Sequence, residues 1–358
     1  MIVHRVLCIL HYRLKSFIIV GALGYEYSMI ADRFGGNAYC GGRKKLENIK
    51  NNEVKKINTK RLRMELLLGL ILILFLAYKF SVARYMGFVT GTDARQFIED
   101  FERHYLYTKS LQAADYLKVK TEIISSSYTT KEDLGELVDA AKTDAGDTTS
   151  AFSYADIMKG KISYSIFEQF KFESRTIDGN KAYIGLNTFG EKSSERFIKA
   201  VKKMKDMDYL ILDLRDNDKG DYSQAIDIAD YLLPENAEIC SLEFAHSKHS
   251  YNSDGYCMSF KKIFVLLNEK SGYCSEMVAL ALKNGLGDNV ELIGNTTEHK
   301  NIGEFYNSYY NKMDLSAATL KWYVNGKNSD ELDGYLSKYS SAELENLDDY
   351  LKIIDSSI

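Results

Sequence analysis

Two near-continuous apolar stretches constrain the fold of this chain more than any other feature of its sequence. They are YLILDL, Tyr209–Leu214, and KIFVLL, Lys262–Leu267. Strands that are apolar on both faces are typical of parallel sheets covered by helices, because half-exposed strands alternate polar and apolar side chains. Predicted helices alternate with the predicted strands along the chain, and this order predicts an α/β fold with right-handed crossovers. The accompanying helices and the next strand are predicted over Glu195–Met207, Ser223–Leu233, Cys274–Lys283 and Val290–Ile293.

The segments on either side of this core have other periodicities. Apolar side chains at helical spacing, beginning with Phe97 and Ile98, predict helices within residues 94–142. A second helix in this region is predicted to start near a capping box at Thr130. Further predicted elements are strands at 162–170 and 181–189 joined by an Asp178-Gly179 turn, strands Phe305–Tyr310 and Thr319–Val324, and a helical tail over Ser329–Asp355.

Residues 66–78 (LLLGLILILFLAY) form a run without a charged side chain. As a helix this run would be about 20 Å long, shorter than the ~30 Å hydrocarbon core of a bilayer. Extension to residues 64–84 gives the length of a span, with Glu65 at the inner interface and Lys79 and Arg84 reaching the outer one. A transmembrane signal-anchor helix is therefore predicted over residues 64–84.

The charges around this run predict its orientation. Residues 43–63 carry nine Lys and Arg against two acidic residues, and the positive-inside rule then places the N-terminus in the cytoplasm. Residues 1–63 are predicted to be a basic cytoplasmic tail, and the main domain to be extracytoplasmic. Two alternatives stay open: cleavage near Ala83 would release a secreted protein, and translation could begin downstream, near Met29.

The distribution of charge argues against a nucleic-acid partner. Residues 1–63 carry 13 Lys and Arg against four Asp and Glu, and residues 64–84 add one further positive charge. Because the whole chain has a net charge of −4, residues 85–358 carry a net charge of −14. An acidic body of this size repels a phosphate backbone.

The cysteines show neither a CxxC motif nor the spacing of a zinc site. Cys240 and Cys257 flank a predicted hairpin with its turn at residues 252–255, so they could form a disulfide in an oxidising compartment or stay unpaired. The histidines lack carboxylate or cysteine partners at the spacing of a metal site. No metal or other cofactor is predicted.

Four stretches, in this order, resemble the tail-specific (carboxyl-terminal processing) serine proteases. AGDTTSAF at 145–152 is similar to the family's G-D-x-H-S-x-F segment. YLILDLRDNDKGDYSQAIDIADYLLP at 209–234 resembles its L-D-L-R-x-N-x-G-G strand and loop, with a helix ending in L-P. IFVLLNEKSGYCSEMVAL at 263–280 resembles V-L-V-N-x-x-S-A-S-A-S-E-I, and IGNTTEHKNIGE at 293–304 resembles V-G-E-x-T-F-G-K-G-x-x-Q.

This resemblance, over roughly residues 95–327, implies the family's ClpP/crotonase-like spiral of ββα units after a small helical region. It gives a helical N-terminal region over 90–155, a tail-specific-protease-like catalytic core over 160–327 and a C-terminal helical tail over 328–358. The short stretch between Phe152 and Lys181 leaves no room for the PDZ domain of many members.

The family hydrolyses peptide bonds with a Ser–Lys dyad. A neutral lysine takes the proton of the serine, a glutamine orients the lysine, and backbone N–H groups stabilise the oxyanion. The resemblance aligns these parts with Tyr273 at the serine position, Lys300 at the lysine, Glu304 at the glutamine, Lys219 and Gly220 at the two glycines of the oxyanion turn, and Cys274 beside the nucleophile.

Each departure from the family pattern removes part of the catalytic machinery. Tyr273 places a phenol, with a reference pKa of ~10, where a small hydroxyl should attack. Glu304 close to Lys300 would favour the ammonium form, which cannot act as a base. Lys219 lacks the backbone freedom of glycine. We therefore expect a catalytically degenerate pseudo-protease that keeps its cleft and binds unstructured or extended polypeptides by strand addition.

Other functions remain open. Ser271 or Ser275, two residues from Tyr273 on either side, could be displaced towards Lys300 and give an active serine endopeptidase that processes exported proteins. Tyr273 itself could be activated by Lys300, and Cys274 is the strongest intrinsic nucleophile nearby. Alternatively, the cleft is vestigial and the chain is an interaction ectodomain.

Overall fold

The structure is a computed structural model, and not every residue of the chain is described in it. The chain divides into two units, Met1–Tyr78 and Lys79–Ile358. The predictions for the tail up to residue 58 and for a strand at 162–169 lie outside the described residues. The structure describes residues 59–85, 88–126, 128–154, 170–309, 313–336, 339 and 343–358.

Helix α1, Thr59–Tyr85, contains the apolar run of the sequence. The large hydrophobic side chains of Leu66–Tyr78 are exposed along it. Within the part of the chain that the structure describes, no helix is both long enough and apolar enough to cross a membrane. The predicted transmembrane helix over residues 64–84 is therefore not confirmed.

Three helices form the N-terminal part of the second unit. Thr90 caps the first of them by accepting the N–H of Asp93, and Phe97 and Phe101 are fully buried on its inner face. A capping box between Thr130 and Asp133 starts the third, as the sequence predicted. These helices are α2 (Gly91–His104), α3 (Ala114–Ser125) and α4 (Lys131–Ala145), and the short strands β1 (Phe88–Val89) and β2 (Thr129–Thr130) pair between them.

A five-stranded sheet forms the core, in the order β10-β9-β6-β5-β4. Its central strands are parallel, and only β4 runs antiparallel, to β5. Alternate side chains face opposite layers: one face packs on α5, α6 and α7, the other on α8. The elements are β4 (Phe172–Ile177), β5 (Lys181–Leu186), α5 (Ser193–Lys203), β6 (Tyr209–Asp213), α6 (Tyr222–Asp230), β9 (Lys262–Leu266), α7 (Cys274–Leu286), β10 (Val290–Ile293) and α8 (Leu347–Ser357).

A second sheet has the order β11-β12-β7-β8, with β3 pairing to the start of β12. Trp322 of β12 is fully buried, and its indole N–H donates to the carbonyl of Lys300 at 3.1 Å. The second sheet thus fixes the backbone at Lys300. Its strands are β3 (Ala151–Tyr154), β7 (Glu238–Phe244), β8 (Lys248–Asn252), β11 (Ile302–Tyr309) and β12 (Met313–Tyr323).

Two predicted hairpins are wrong in detail. The strand that pairs with β5 across the Asp178-Gly179 turn is β4, which is too polar to show an apolar alternation. β7 and β8 are joined at residues 245–247, so the turn predicted at 252–255 lies beyond the hairpin. Cys240 is buried and Cys257 exposed, and both thiols are free, so the disulfide is absent.

The helical tail is shorter than predicted. A 3-10 helix covers Ser329–Gly334, and α8 then begins at Leu347 after its N-cap Asn346, whose side chain forms a capping box with Asp349. Tyr350 and Ile354 of α8 are buried against the sheet. The tail therefore covers the second face of the central sheet.

Candidate functional site

The turn between β9 and α7 holds Tyr273 in a strained backbone conformation. Tyr273 directly precedes α7 with φ 49° and ψ −109°. A sharp strand-to-helix turn of this kind presents the nucleophile in hydrolases that use a nucleophile elbow. Such a conformation costs about 1–3 kcal/mol for a residue other than glycine, so the surrounding bonds must maintain it.

Ser271 and Ser275 supply those bonds. Both side chains are fully buried. The Ser271 hydroxyl donates to the carbonyl of Leu214 at 2.8 Å, and the Ser275 hydroxyl donates to the carbonyl of Asn217 at 2.7 Å. Each hydroxyl has a single proton, which these bonds use. Neither serine contacts Lys300 through a hydrogen bond, so the geometry does not place a displaced nucleophile at the lysine.

The phenol of Tyr273 occupies the site itself. Its O–H donates to one carboxylate oxygen of Glu304, and the Ser316 hydroxyl donates to the other. Burial, followed by the charge of Glu304, raises the pKa of Tyr273 above its ordinary value. The phenol is therefore protonated at neutral pH, and a protonated phenol is a poor nucleophile.

Lys300 has a different partner from the one expected. Its amine forms an ion pair with Glu298 at 2.5 Å rather than with Glu304. The amine also lies 5.2 Å from the centroid of the Tyr273 ring, within cation–π range. In this pair Lys300 is an ammonium, which has no lone pair with which to accept a proton.

Glu276 is a residue of the site that the sequence reasoning missed. Its carboxylate is fully buried and accepts bonds from the Thr297 hydroxyl at 2.6 Å and from the N–H groups of His299 and Lys300 at 2.7 and 3.0 Å. Burial raises the pKa of Glu276 to about 7, and these bonds oppose the shift. Glu276 thereby holds the Lys300 loop against α7. The signal was its place in the Ser-Glu pair of the family motif.

The oxyanion turn keeps the glycine that its backbone needs. Gly220 has φ 143°, and a Cβ there would lie 2.6 Å from the backbone nitrogen of Phe189. Lys219 is not among the residues with positive φ, so the conformational loss predicted at Lys219 is wrong. Within the described residues, the N–H groups of Gly220 and Cys274 donate to no protein acceptor. Two of the turn's donors therefore remain available to a ligand.

Cys274 is a packing residue in this arrangement. Its side chain is fully buried, and its sulfur lies 3.8 Å from the carbonyl oxygen of Gly220. Burial raises the pKa of the Cys274 thiol, which disfavours the thiolate. Among the residues that the structure describes, no group of three or more His, Cys, Asp or Glu side chains could hold a metal ion.

Asp213 and Arg215 brace the neighbouring loop. The guanidinium of Arg215 donates two bonds to the Asp213 carboxylate, at 2.7 and 2.9 Å, and Tyr183 donates a third at 2.8 Å. Arg215 also lies 4.7 Å from the ring centroid of Tyr350. With every part of the carboxylate engaged, the pair is structural rather than catalytic.

The residues of this site lie in a segment that is similar to known proteases. Residues 180–335 match the model of Peptidase family S41. A carboxyl-terminal-processing protease of Synechocystis is 28% identical over 122 residues, which cover 34% of this chain and 28% of that protein. Carboxy-terminal processing protease CtpA of Bacillus subtilis is 27% identical over 148 residues, covering 40% of this chain and 31% of that protein. The match thus spans less than a third of either relative.

The fold has a neighbour among solved structures. A lipoprotein from Streptococcus agalactiae aligns with 75% of this chain and 97% of its own, with a TM-score of 0.50 and 15% sequence identity. At this identity the likeness shows a shared fold.

Proposed function

We propose that this chain, whose residues 180–335 match the model of Peptidase family S41, is a membrane-anchored, extracytoplasmic pseudo-protease of that family. It would bind unstructured or extended polypeptides without cleaving them. The observation that carries the proposal is the bond between Tyr273 and Glu304 at the elbow. We also propose that its core follows the ClpP/crotonase-like spiral of ββα units.

Two contacts argue against peptide hydrolysis. The nucleophile position holds a protonated phenol whose proton is bonded to Glu304. The general base position holds an ammonium paired with Glu298. Peptide hydrolysis by this dyad needs a small hydroxyl and a neutral amine within hydrogen-bond reach of each other, and the site offers neither.

Other features favour retained binding. The N–H groups of Gly220 and Cys274 are free of protein acceptors in the described residues. β11, which carries Glu304, pairs only with β12 in the part of the chain that the structure describes. An extended polypeptide could therefore add to its outer edge beside the elbow, as strand addition requires.

We expect the full-length protein to bind fluorescent, unstructured peptides in anisotropy titrations and to leave the same peptides uncleaved after prolonged incubation, as judged by mass spectrometry. The physical reason is that the N–H groups of Gly220 and Cys274 are still able to bind a ligand, whereas the nucleophile and the general base have been lost. Lys300→Ala is the matched control, because it removes the only candidate base that the family motif provides.

Two outcomes would contradict this proposal. Cleavage by the wild type that disappears in Lys300→Ala would show a working dyad. Absence of binding across a varied peptide library would indicate a vestigial cleft and an interaction ectodomain instead.

The proposed anchor is α1. The exposed leucine and isoleucine side chains along it, and the basic residues that precede it, are suited to lipid and to a cytoplasmic flank. We expect the full-length chain to remain in the membrane pellet after alkaline carbonate extraction, and a Leu70→Lys/Leu74→Lys variant to move to the supernatant. A wild-type chain found in the supernatant at its full mass would contradict anchoring, and one shortened near Ala83 would indicate secretion.

A further inference from the structure

Among the residues that the structure describes, no strand pairs with the outer edge of β4. β4 is the last strand of the central sheet, and in the described part of the chain it pairs only with β5. The side chains of its four central residues, 173 to 176, are all exposed. An edge strand with unpaired N–H and C=O groups is a template for another strand.

The register of β4 shows which of its backbone groups are free. The N–H of Asn187 donates to the carbonyl of Lys171, so the backbone of Lys171 faces β5. Backbone direction alternates along an antiparallel strand, and the pairing runs from Phe172 to Ile177 without a register shift. The N–H and C=O groups of residues 172, 174 and 176 therefore point outwards, away from the sheet.

The charges on β4 are complementary to those of a second β4. In an antiparallel pair centred on Ser174, Glu173 of one copy lies opposite Arg175 of the other, and the two-fold axis repeats the pairing. The outward residues 172, 174 and 176 then exchange hydrogen bonds with 176, 174 and 172 of the second copy. Residues 173 and 175 fall at the closely spaced positions between these bonds, where cross-strand side chains interact most.

The two neighbouring registers place like charges opposite each other. A pair centred on Glu173 sets the two Glu173 carboxylates face to face and brings Arg175 opposite Lys171. A pair centred on Arg175 sets two guanidinium groups face to face. Directly opposed like charges destabilise a sheet, so the sequence of β4 favours the register centred on Ser174 over both of its neighbours.

The Arg175 side chain is already held where this pairing needs it. Its guanidinium lies 4.4 Å from the ring centroid of Tyr183 on β5 and forms an ion pair with Glu173 of its own strand. Cation–π contact restricts the side chain to one face of the sheet. Arg175 can therefore exchange the Glu173 of its own strand for the Glu173 of the second copy with little rearrangement of its side chain.

We propose that two copies of this chain pair through β4, in the antiparallel register centred on Ser174, to form one continuous ten-stranded sheet. The occupant of the edge is a second copy because the strand is complementary to itself. This association is independent of the elbow at Tyr273, so it can fail while the proposed function stands.

Cysteine cross-linking tests the register. In the full-length protein, Ser174→Cys places two thiols on Cα atoms about 5.5 Å apart, which a disulfide can bridge. Thr176→Cys is the matched control, because its two copies would be about 14 Å apart along the strand. We expect a reducible dimer on non-reducing gels for Ser174→Cys only, above the background that the native cysteines give in the wild type. Equal cross-linking of both variants, or none above background, overturns the proposal.

Charge reversal tests the pairing itself. We expect Arg175→Glu, which sets Glu173 against a second carboxylate, to weaken dimerisation at least tenfold in sedimentation experiments on the full-length chain. The double variant Glu173→Arg/Arg175→Glu restores opposite charges and should return the Kd to within about threefold of the wild type. A wild type that is monomeric at about 100 μM, or a dimer unaffected by Arg175→Glu, overturns the proposal.

Discussion

Replacing Tyr273 by Ser, Glu304 by Gln and Glu298 by Gln in the same chain should produce peptidase activity, whereas we expect none from the wild type. We expect cleavage of an unfolded protein substrate about 10²-fold above that of the same triple variant carrying Lys300→Ala. The size follows from what a positioned general base contributes, typically 10²–10⁴-fold. Mass spectrometry of the products measures it.

Each of the three changes removes one obstacle in the structure. Tyr273→Ser replaces the phenol by a small hydroxyl on a backbone that already has the elbow conformation. Glu304→Gln restores the residue type that orients the lysine in the family. Glu298→Gln removes the carboxylate that forms an ion pair with the Lys300 amine at 2.5 Å.

The single variants separate these effects. Tyr273→Ser alone should stay at background, because Lys300 is still paired with Glu298. Activity of Tyr273→Ser equal to that of the triple variant would show that the ion pair does not block the base. A triple variant that folds like the wild type yet cleaves nothing would show that the decay reaches beyond these three side chains.

Glu276→Ala should lower the free energy of unfolding by about 3 kcal/mol, the range expected when buried donors lose their acceptor. The change leaves the Thr297 hydroxyl and the N–H groups of His299 and Lys300 without the carboxylate that now binds them. Urea denaturation measures the loss. A surface substitution such as Glu345→Ala is the control and should have a small effect. An equal loss in both variants would contradict this role of Glu276.

Glu276 should also make stability depend on pH. Its pKa is about 7 in the folded chain against an ordinary value of 4.5, so the folded state keeps a proton that the unfolded state releases. The contribution of Glu276 to stability is therefore largest below pH 4.5 and falls as pH rises towards 7, by up to about 3 kcal/mol. Glu276→Gln does not titrate, so this part of the slope should be absent from its urea midpoints between pH 5 and 7.5. Identical slopes in both proteins would contradict the assignment.

Most elements of the fold could be predicted from local sequence patterns. The apolar runs of β6 and β9 could only be strands buried on both faces, and the structure has them at Tyr209–Asp213 and Lys262–Leu266. The helix that follows Tyr273 was also predicted at its first residue, Cys274. These elements were predictable because burial imposes a pattern of apolar residues that is visible within each short segment.

Patterns of exposed or polar residues predicted two elements wrongly. β4 has the exposed sequence FESRTI, so its strand was assigned to the more apolar residues 162–170 instead. The turn after β8 contains Asn252 and Gly255, which are typical of hairpins, although the hairpin itself turns at residues 245–247. Polar strands and turns share compositions, and only pairing with the rest of the sheet distinguishes them.

The sequence by itself determined that this chain folds as an α/β domain, that it resembles the tail-specific proteases, and that Tyr273 and Lys300 align with the two dyad positions of that family. The tertiary structure decided the partners of those side chains: Glu304 for Tyr273, Glu298 for Lys300, and Glu276 for the Lys300 loop. The division has a physical cause. Hydrophobic burial produces patterns of apolar residues that are visible in the sequence. An ion pair or hydrogen bond depends instead on distances of a few ångströms between segments far apart in sequence, and only the packed structure sets those distances.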